Sequence, residues 1–133
     1  MRTILVVDDH EEIRKTIREI LGDKAEGLFA GDLLEASYLF INHFEKINTV
    51  LVDGSVKAGG LEELENAPLP AAEWIRRLKR LCIGLGIRHA VELVAFSTNP
   101  DSLKQLTDAG CNWEFLKGQD SLLELERLLG VAP

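Results

Sequence analysis

Five polar residues of this chain stand where apolar runs stop. Asp8 and Asp9 follow the run 4–7, Asp53 follows 49–52, Ser97 follows 91–96, and Lys117 follows 113–116. Carboxylates gathered in a low-dielectric crevice repel one another and stay ionised together only around a cation. An all-oxygen set with room for water suits Mg²⁺ better than a thiophilic metal. A lysine ammonium and a serine hydroxyl beside that ion complete what is needed to hold the oxygens of a transferring phosphoryl group. One carboxylate can then be the nucleophile, giving an acyl phosphate. Asp53 is the best candidate, since it stands alone at its strand end with Gly54 after it leaving open space, while the adjacent Asp8 and Asp9 are better placed as metal ligands. Each residue also has an ordinary explanation. Asp8 or Asp9 can cap a helix, Ser97 can sit in a turn, and Lys117 can be solvated. Their common position at strand ends is what points to a site.

That position depends on the elements. The run 4–7 is apolar and rich in β-branched residues, as in a strand buried on both faces. Ile13, Ile17, Ile20 and Leu21 then recur at helical spacing up to Gly22. A weak strand at 27–30 leads to a helix capped by Asp32, with Leu34, Ala36, Tyr38, Leu39, Ile41 and Phe44 as its apolar bulk. A strand at 49–52 closes on Asp53. Residues 54–70, broken by Gly54, Gly59, Gly60, Pro68 and Pro70, read as a long loop with one helical turn near 61–64. A helix spans 71–82, with Trp74, Ile75, Leu78 and Leu81 on one face. The strand 91–96 precedes Asn99-Pro100, a helix start. The strand 113–116 precedes a capping box at Ser121-Leu122-Leu123-Glu124, which opens a last helix with Leu122, Leu125, Leu128 and Leu129 inside. Strand and helix alternate five times, which predicts an open α/β parallel sheet with helices on both faces. Its ligand site lies outside the carboxyl ends of the strands.

The chain has 133 residues, with 15 Lys+Arg against 22 Asp+Glu and a net charge of −7. The length predicts one domain, 1–133. The acidic balance argues against a nucleic-acid-binding module, which needs a basic face. No apolar stretch approaches the roughly 20 residues of a membrane span, and the opening residues do not form a signal peptide. Cys82 and Cys111 have no metal spacing and read as free thiols in a reducing cytoplasm. A flavodoxin-like cofactor binder fits poorly, because two aspartates stand where a phosphate loop would follow the first strand.

The chain resembles the receiver domain of the two-component response-regulator family. Ile4-Leu5-Val6-Val7-Asp8-Asp9-His10 resembles its opening strand and acidic pair, and Val50-Leu51-Val52-Asp53 its phosphoacceptor strand. Phe96-Ser97 resembles its strand-ending hydroxyl. Ala109-Gly110 followed by Phe115-Leu116-Lys117 resembles its closing strand and lysine. The resemblance implies a (βα)5 flavodoxin-like, doubly wound parallel sheet in strand order 2-1-3-4-5. It implies that Asp53 accepts a phosphoryl group from a histidine kinase or phosphotransfer protein. Asp8, Asp9, Asp53 and the Ser55 backbone carbonyl would serve Mg²⁺, and Ser97 and Lys117 would hold the phosphoryl oxygens. The output would be altered affinity for a downstream protein or effector domain, through the last two helices and the strand between them. Such a domain is not a turnover enzyme on an external substrate. A homodimer, or a phosphorylation-independent interaction module, is the alternative from another class.

The chain departs from the family pattern in several places. Lys57 stands where a proline is common, Gly118 replaces the usual proline after the lysine, Thr98 replaces a small residue, and Glu114 stands where a switch aromatic is expected. The segment between Asp53 and Ser97 is longer than the family norm. Its surplus, mainly 54–70, reads either as a partner-binding lid beside the site or as a tolerated insertion. The basic run Arg76-Arg77-Leu78-Lys79-Arg80 reads as the solvated face of a helix. His10, His43 and His89 have no metal spacing, and a surface role is expected for His10. No effector domain follows the last helix within this sequence.

Overall fold

The structure, a computed structural model, describes all 133 residues. Its strands are β1 (Arg2–Val7), β2 (Ala25–Ala30), β3 (Ile47–Asp53), β4 (Glu92–Ser97) and β5 (Trp113–Leu116). Its helices are α1 (Glu11–Leu21), α2 (Leu33–His43), α3 (Glu62–Glu65), α4 (Pro70–Gly84), α5 (Pro100–Ala109) and α6 (Leu122–Leu129). The strands form one parallel sheet in the order β2-β1-β3-β4-β5, as the resemblance implies.

Alternation along each strand divides the core in two. Leu5, Val7, Val50, Val52 and Ala95 face α2, α3, α4 and α5. Ile4, Val6, Leu51, Val94, Phe96 and Phe115 face α1 and α6. The central strands are therefore apolar on both sides, which is why they read as unbroken runs. No helix is long and apolar enough to cross a membrane.

The predicted caps at Asp32, Asn99 and Ser121 form, each side chain accepting a bond from a first-turn backbone N–H. The helix start at 10–11 differs from expectation. Its N-cap is His10, with no side-chain cap, so neither Asp8 nor Asp9 serves there. Glu11 and Glu12 instead place negative charge against the helix dipole. Three apolar assignments also change. Tyr38 and Ile41 of α2 and Leu122 of α6 are exposed, and α2 is buried through Leu33, Ala36 and Phe40.

The segment 54–70 is not a loose insertion. Val56, Ala58 and Leu64 are buried in the core shared by α2 and α4. The Lys57 carbonyl accepts from the Leu33 N–H, which joins the segment to the start of α2. Gly59 adopts φ +69 and lies so close to Asp32 that a Cβ would clash with its side chain. Arg77 of α4 pairs with Glu63, and Arg76, Arg77 and Arg80 share Glu73. The basic run is thus a partly neutralised outer helix face.

Candidate phosphoacceptor site

Parallel register places the polar residues together. Val7 pairs with Val52, so Asp8 and Asp53 are neighbours one rung on. Asp53 pairs with Phe96 and Ser97 with Leu116, which brings Ser97 and Lys117 to the same end of the sheet. Asp8, Asp53 and Ser97 are buried, with relative exposures of 1%, 2% and 5%.

The Lys117 ammonium donates to Asp53 Oδ1 at 2.9 Å and to Asp8 Oδ2 at 3.2 Å. It also lies 4.4 Å from the centre of the Phe96 ring, which itself stacks on Phe115 at 5.3 Å. The face of the Phe96 ring attracts the ammonium and helps hold it beside the two carboxylates. The second Asp53 oxygen accepts from the Ser55 hydroxyl at 2.8 Å. Ser97 Oγ accepts from the Asn99 N–H at 3.0 Å and has no protein acceptor for its own proton.

Gly54 does not leave open space, as its sequence context suggested. It is buried, its N–H bonded to the Phe96 carbonyl, and a Cβ there would lie 3.0 Å from Ser102 Cβ and 3.3 Å from Ser97 Oγ. A side chain there would have to push Ser102 or Ser97 aside by a few tenths of an ångström, because β3 leaves the sheet beside α5.

His10 is nearer the site than expected. Its backbone N–H bonds Asp8 Oδ1, and this turn brings the ring back so that Nδ1 lies 2.9 Å from Asp8 Oδ1 and 3.1 Å from Asp9 Oδ1. The hydrogen bond to Asp8, with the charge of Asp9 added, raises the His10 imidazole above its ordinary value. No sequence spacing signals this contact, which depends on the turn.

Asp8, Asp9, His10 and Asp53 each bring one potential ligand atom within 4.8 Å of the others. Asp9 Oδ1 is buried and accepts no aligned hydrogen bond, although His10 Nδ1 is close. An orphaned carboxylate oxygen beside two further carboxylates fits a divalent cation. Asp8, Asp9 and Asp53, with the Ser55 carbonyl, are the residues of this chain that would hold Mg²⁺. A separate cleft of about 810 Å³ lies between α2, α3 and α4 and shares none of these residues. It is mostly apolar, whereas the clustered carboxylates, the lysine and the serine lie at the strand ends.

Glu114 is exposed and accepts from the Thr107 hydroxyl at 3.2 Å, tying β5 to α5. All peptide bonds are trans, and Gly118 takes φ +84, a conformation that glycine adopts without strain.

Similar folds are known. A receiver domain protein from Clostridium thermocellum superposes with TM-score 0.72 at 20% identity, covering 98% of this chain and 92% of that one. The receiver domain of a Saccharomyces cerevisiae response regulator, crystallised with a histidine phosphotransfer protein, superposes with TM-score 0.75 at 16% identity, covering 96% and 86%. The fold is that of response-regulator receiver domains. A Borrelia burgdorferi CheX–CheY complex with BeF₃ and Mg²⁺ provides a further receiver-fold match, with TM-score 0.69 at 17% identity, covering 98% and 88%. No protein-family model matches the sequence, and the comparison with curated proteins finds no match. At these identities the shared feature is the receiver fold, in which the carboxyl-end cluster of Asp8, Asp9, Asp53, Ser97 and Lys117 is set.

Proposed function

We propose that this chain is a phosphoacceptor receiver of two-component signalling, modified on Asp53 by a histidine kinase or phosphotransfer protein. The observation that carries this reading is the buried Lys117 ammonium between Asp53 and Asp8 at the carboxyl ends of the strands. An Asp53 carboxylate oxygen attacks phosphorus in line, and the new O–P bond forms as the N–P bond of a phosphohistidine breaks. The donor imidazole leaves with the electron pair and is protonated. Lys117 then holds one phosphoryl oxygen, and the free Ser97 proton is available to another. Mg²⁺, held by Asp8, Asp9, Asp53 and the Ser55 carbonyl, would neutralise charge on the incoming group. The Mg²⁺-bearing Borrelia complex and the yeast phosphotransfer complex, both of the same fold, support this chemistry and this class of donor.

In this reading the domain is a signalling switch in the cytoplasm, not a turnover enzyme. Its output surface is α5, β5 and α6, where Ser97 and Lys117 connect the site to two helices. The test is intact mass after incubation with Mg²⁺ and a small phosphodonor. One phosphoryl adduct on the wild type and none on Asp53→Asn supports it. No adduct with any donor, or an adduct indifferent to Asp53→Asn, refutes it.

The Glu114–Thr107 bond favours a second reading, a phosphorylation-independent interaction or dimerisation module, because it ties α5 to β5 where a mobile switch would need freedom. There, partner binding or self-association is the same for wild type and Asp53→Asn with or without phosphodonor.

A further inference from the structure

We propose that His10 is a ligand of the metal centre and biases it toward nitrogen-binding late first-row divalent ions, such as Ni²⁺ and Co²⁺, relative to Mg²⁺. This rests on the reading of Asp8, Asp9 and Asp53 as a divalent-cation site, and goes beyond it by adding a nitrogen donor.

The geometry is that of a coordination edge. In an octahedron with bonds of about 2.1 Å, neighbouring ligand atoms lie about 3.0 Å apart and opposite ones about 4.2 Å apart. His10 Nδ1 lies 2.9 Å from Asp8 Oδ1 and 3.1 Å from Asp9 Oδ1. The outer bound on the whole group with Asp53 is 4.8 Å. Asp9 Oδ1, one corner of that edge, is the buried oxygen with no aligned donor. The other oxygens nearby are engaged, Asp8 Oδ1 by the His10 backbone N–H, Asp8 Oδ2 and Asp53 Oδ1 by Lys117, and Asp53 Oδ2 by Ser55.

Access is open, since the His10 side chain is 59% exposed while its Nδ1 turns inward. Of the other histidines, His89 is bonded to the Ile47 carbonyl at the opposite end of β3, and His43 lies at the end of α2. His10 therefore supplies the site's single imidazole. Mg²⁺ gains little from an imidazole, because it is a hard ion that keeps oxygen ligands and water. Ni²⁺ and Co²⁺ gain substantially.

The test uses the tag-free full chain, stripped of metal, at about pH 8, where an imidazole is free to ligate. Calorimetric titrations with Mg²⁺ and Ni²⁺ compare wild type, His10→Ala and Asp9→Asn. We expect His10→Ala to weaken Ni²⁺ binding about 10-fold or more and to change Mg²⁺ binding by less than about threefold. Bound Co²⁺ gives a second readout, a visible absorption band that shifts when a nitrogen ligand is replaced by water. An unchanged Ni²⁺ affinity in His10→Ala, or an unchanged Co²⁺ band, overturns the proposal. The Asp9→Asn arm reports separately on the carboxylate centre. If Mg²⁺ binds equally well to that variant, the centre itself is misassigned, whatever His10 does.

Discussion

Asp9→Asn offers the sharpest test of the electrostatic account of the site, because its effect on stability should change sign with metal. The ligand atoms of Asp8, Asp9 and Asp53 lie within 4.8 Å of one another. At an effective dielectric of about 20, two unit charges at 4.8 Å repel by about 3.5 kcal/mol. Asp9 faces two such carboxylates; Lys117 is bonded to Asp8 and Asp53 rather than to Asp9, and the His10 imidazole, 3.1 Å from Asp9, offsets the repulsion only while it is protonated. About one repulsion is left uncompensated. The Asp9 side chain retains 26% exposure, so solvent reduces the net cost to about 1–2 kcal/mol. Asparagine removes the charge at nearly the same volume. In EDTA, at a pH above the His10 titration, the variant should therefore be more stable than wild type by about 1–2 kcal/mol, a rise in urea midpoint of about 1 M. With Mg²⁺ at about a hundred times its dissociation constant, wild type gains about 2.7 kcal/mol that the variant largely forgoes, and the order reverses. Urea unfolding followed by circular dichroism, with EDTA and with Mg²⁺, measures both midpoints. If Asp9→Asn is less stable in EDTA, or if Mg²⁺ raises both midpoints equally, the reasoning is wrong.

Three further outcomes follow from other parts of the molecule. Leu64→Ala removes a side chain 2% exposed from the core and should cost about 2–5 kcal/mol, read by urea midpoint, whereas a tolerated surface segment would lose less than about 0.5 kcal/mol. The metal-free His10 imidazole should titrate above its ordinary value of 6.5, first because of its bond to Asp8 and next because of the Asp9 charge. Its favourable contact is then fully present below that value and lost as pH rises through the raised one; an NMR midpoint at or below 6.5 contradicts this. Burial pushes the Cys111 thiol up to about 12, so in the native chain Cys111 should resist alkylation near neutral pH while the partly exposed Cys82 reacts slowly, as peptide mass mapping will show.

The sheet was legible in the sequence because its central strands are buried on both faces. Apolar runs ending in Asp8, Asp53 and Ser97 have no other common explanation than strands that stop at a polar edge. From there the clustering of Asp8, Asp53, Ser97 and Lys117 followed, since a parallel sheet brings its carboxyl ends together whatever the loops do. What was not legible depends on how loops and helices turn. Residues 33–41 are apolar nearly all round, so periodicity alone could not choose between a face through Tyr38 and Ile41 and the observed one through Leu33, Ala36 and Phe40. The crowding at Gly54 comes from α5, far along the chain. The His10 contact arises because the Asp8 carboxylate bonds the His10 backbone, an arrangement that the type and order of the residues do not specify.

The length between Asp53 and α4 bears on how the Asp53 carboxylate is held. The residues just after Asp53 are fixed rather than loose. The Ser55 hydroxyl is bonded to Asp53, Val56 and Ala58 are buried, and the Lys57 carbonyl is bonded to the start of α2. After that anchor comes Gly59, where a close approach to Asp32 and a positive φ require glycine. Leu64 then returns to the core beside α4, and Glu63 pairs with Arg77. A segment tied at both ends, with its middle residues mostly exposed apart from Leu64, can lengthen without disturbing the carboxylates, because the extra residues lie beyond Lys57. The same ties connect the start of α2 with the residues that follow Asp53, through the Lys57 carbonyl on one side and the Ser55 hydroxyl on the other.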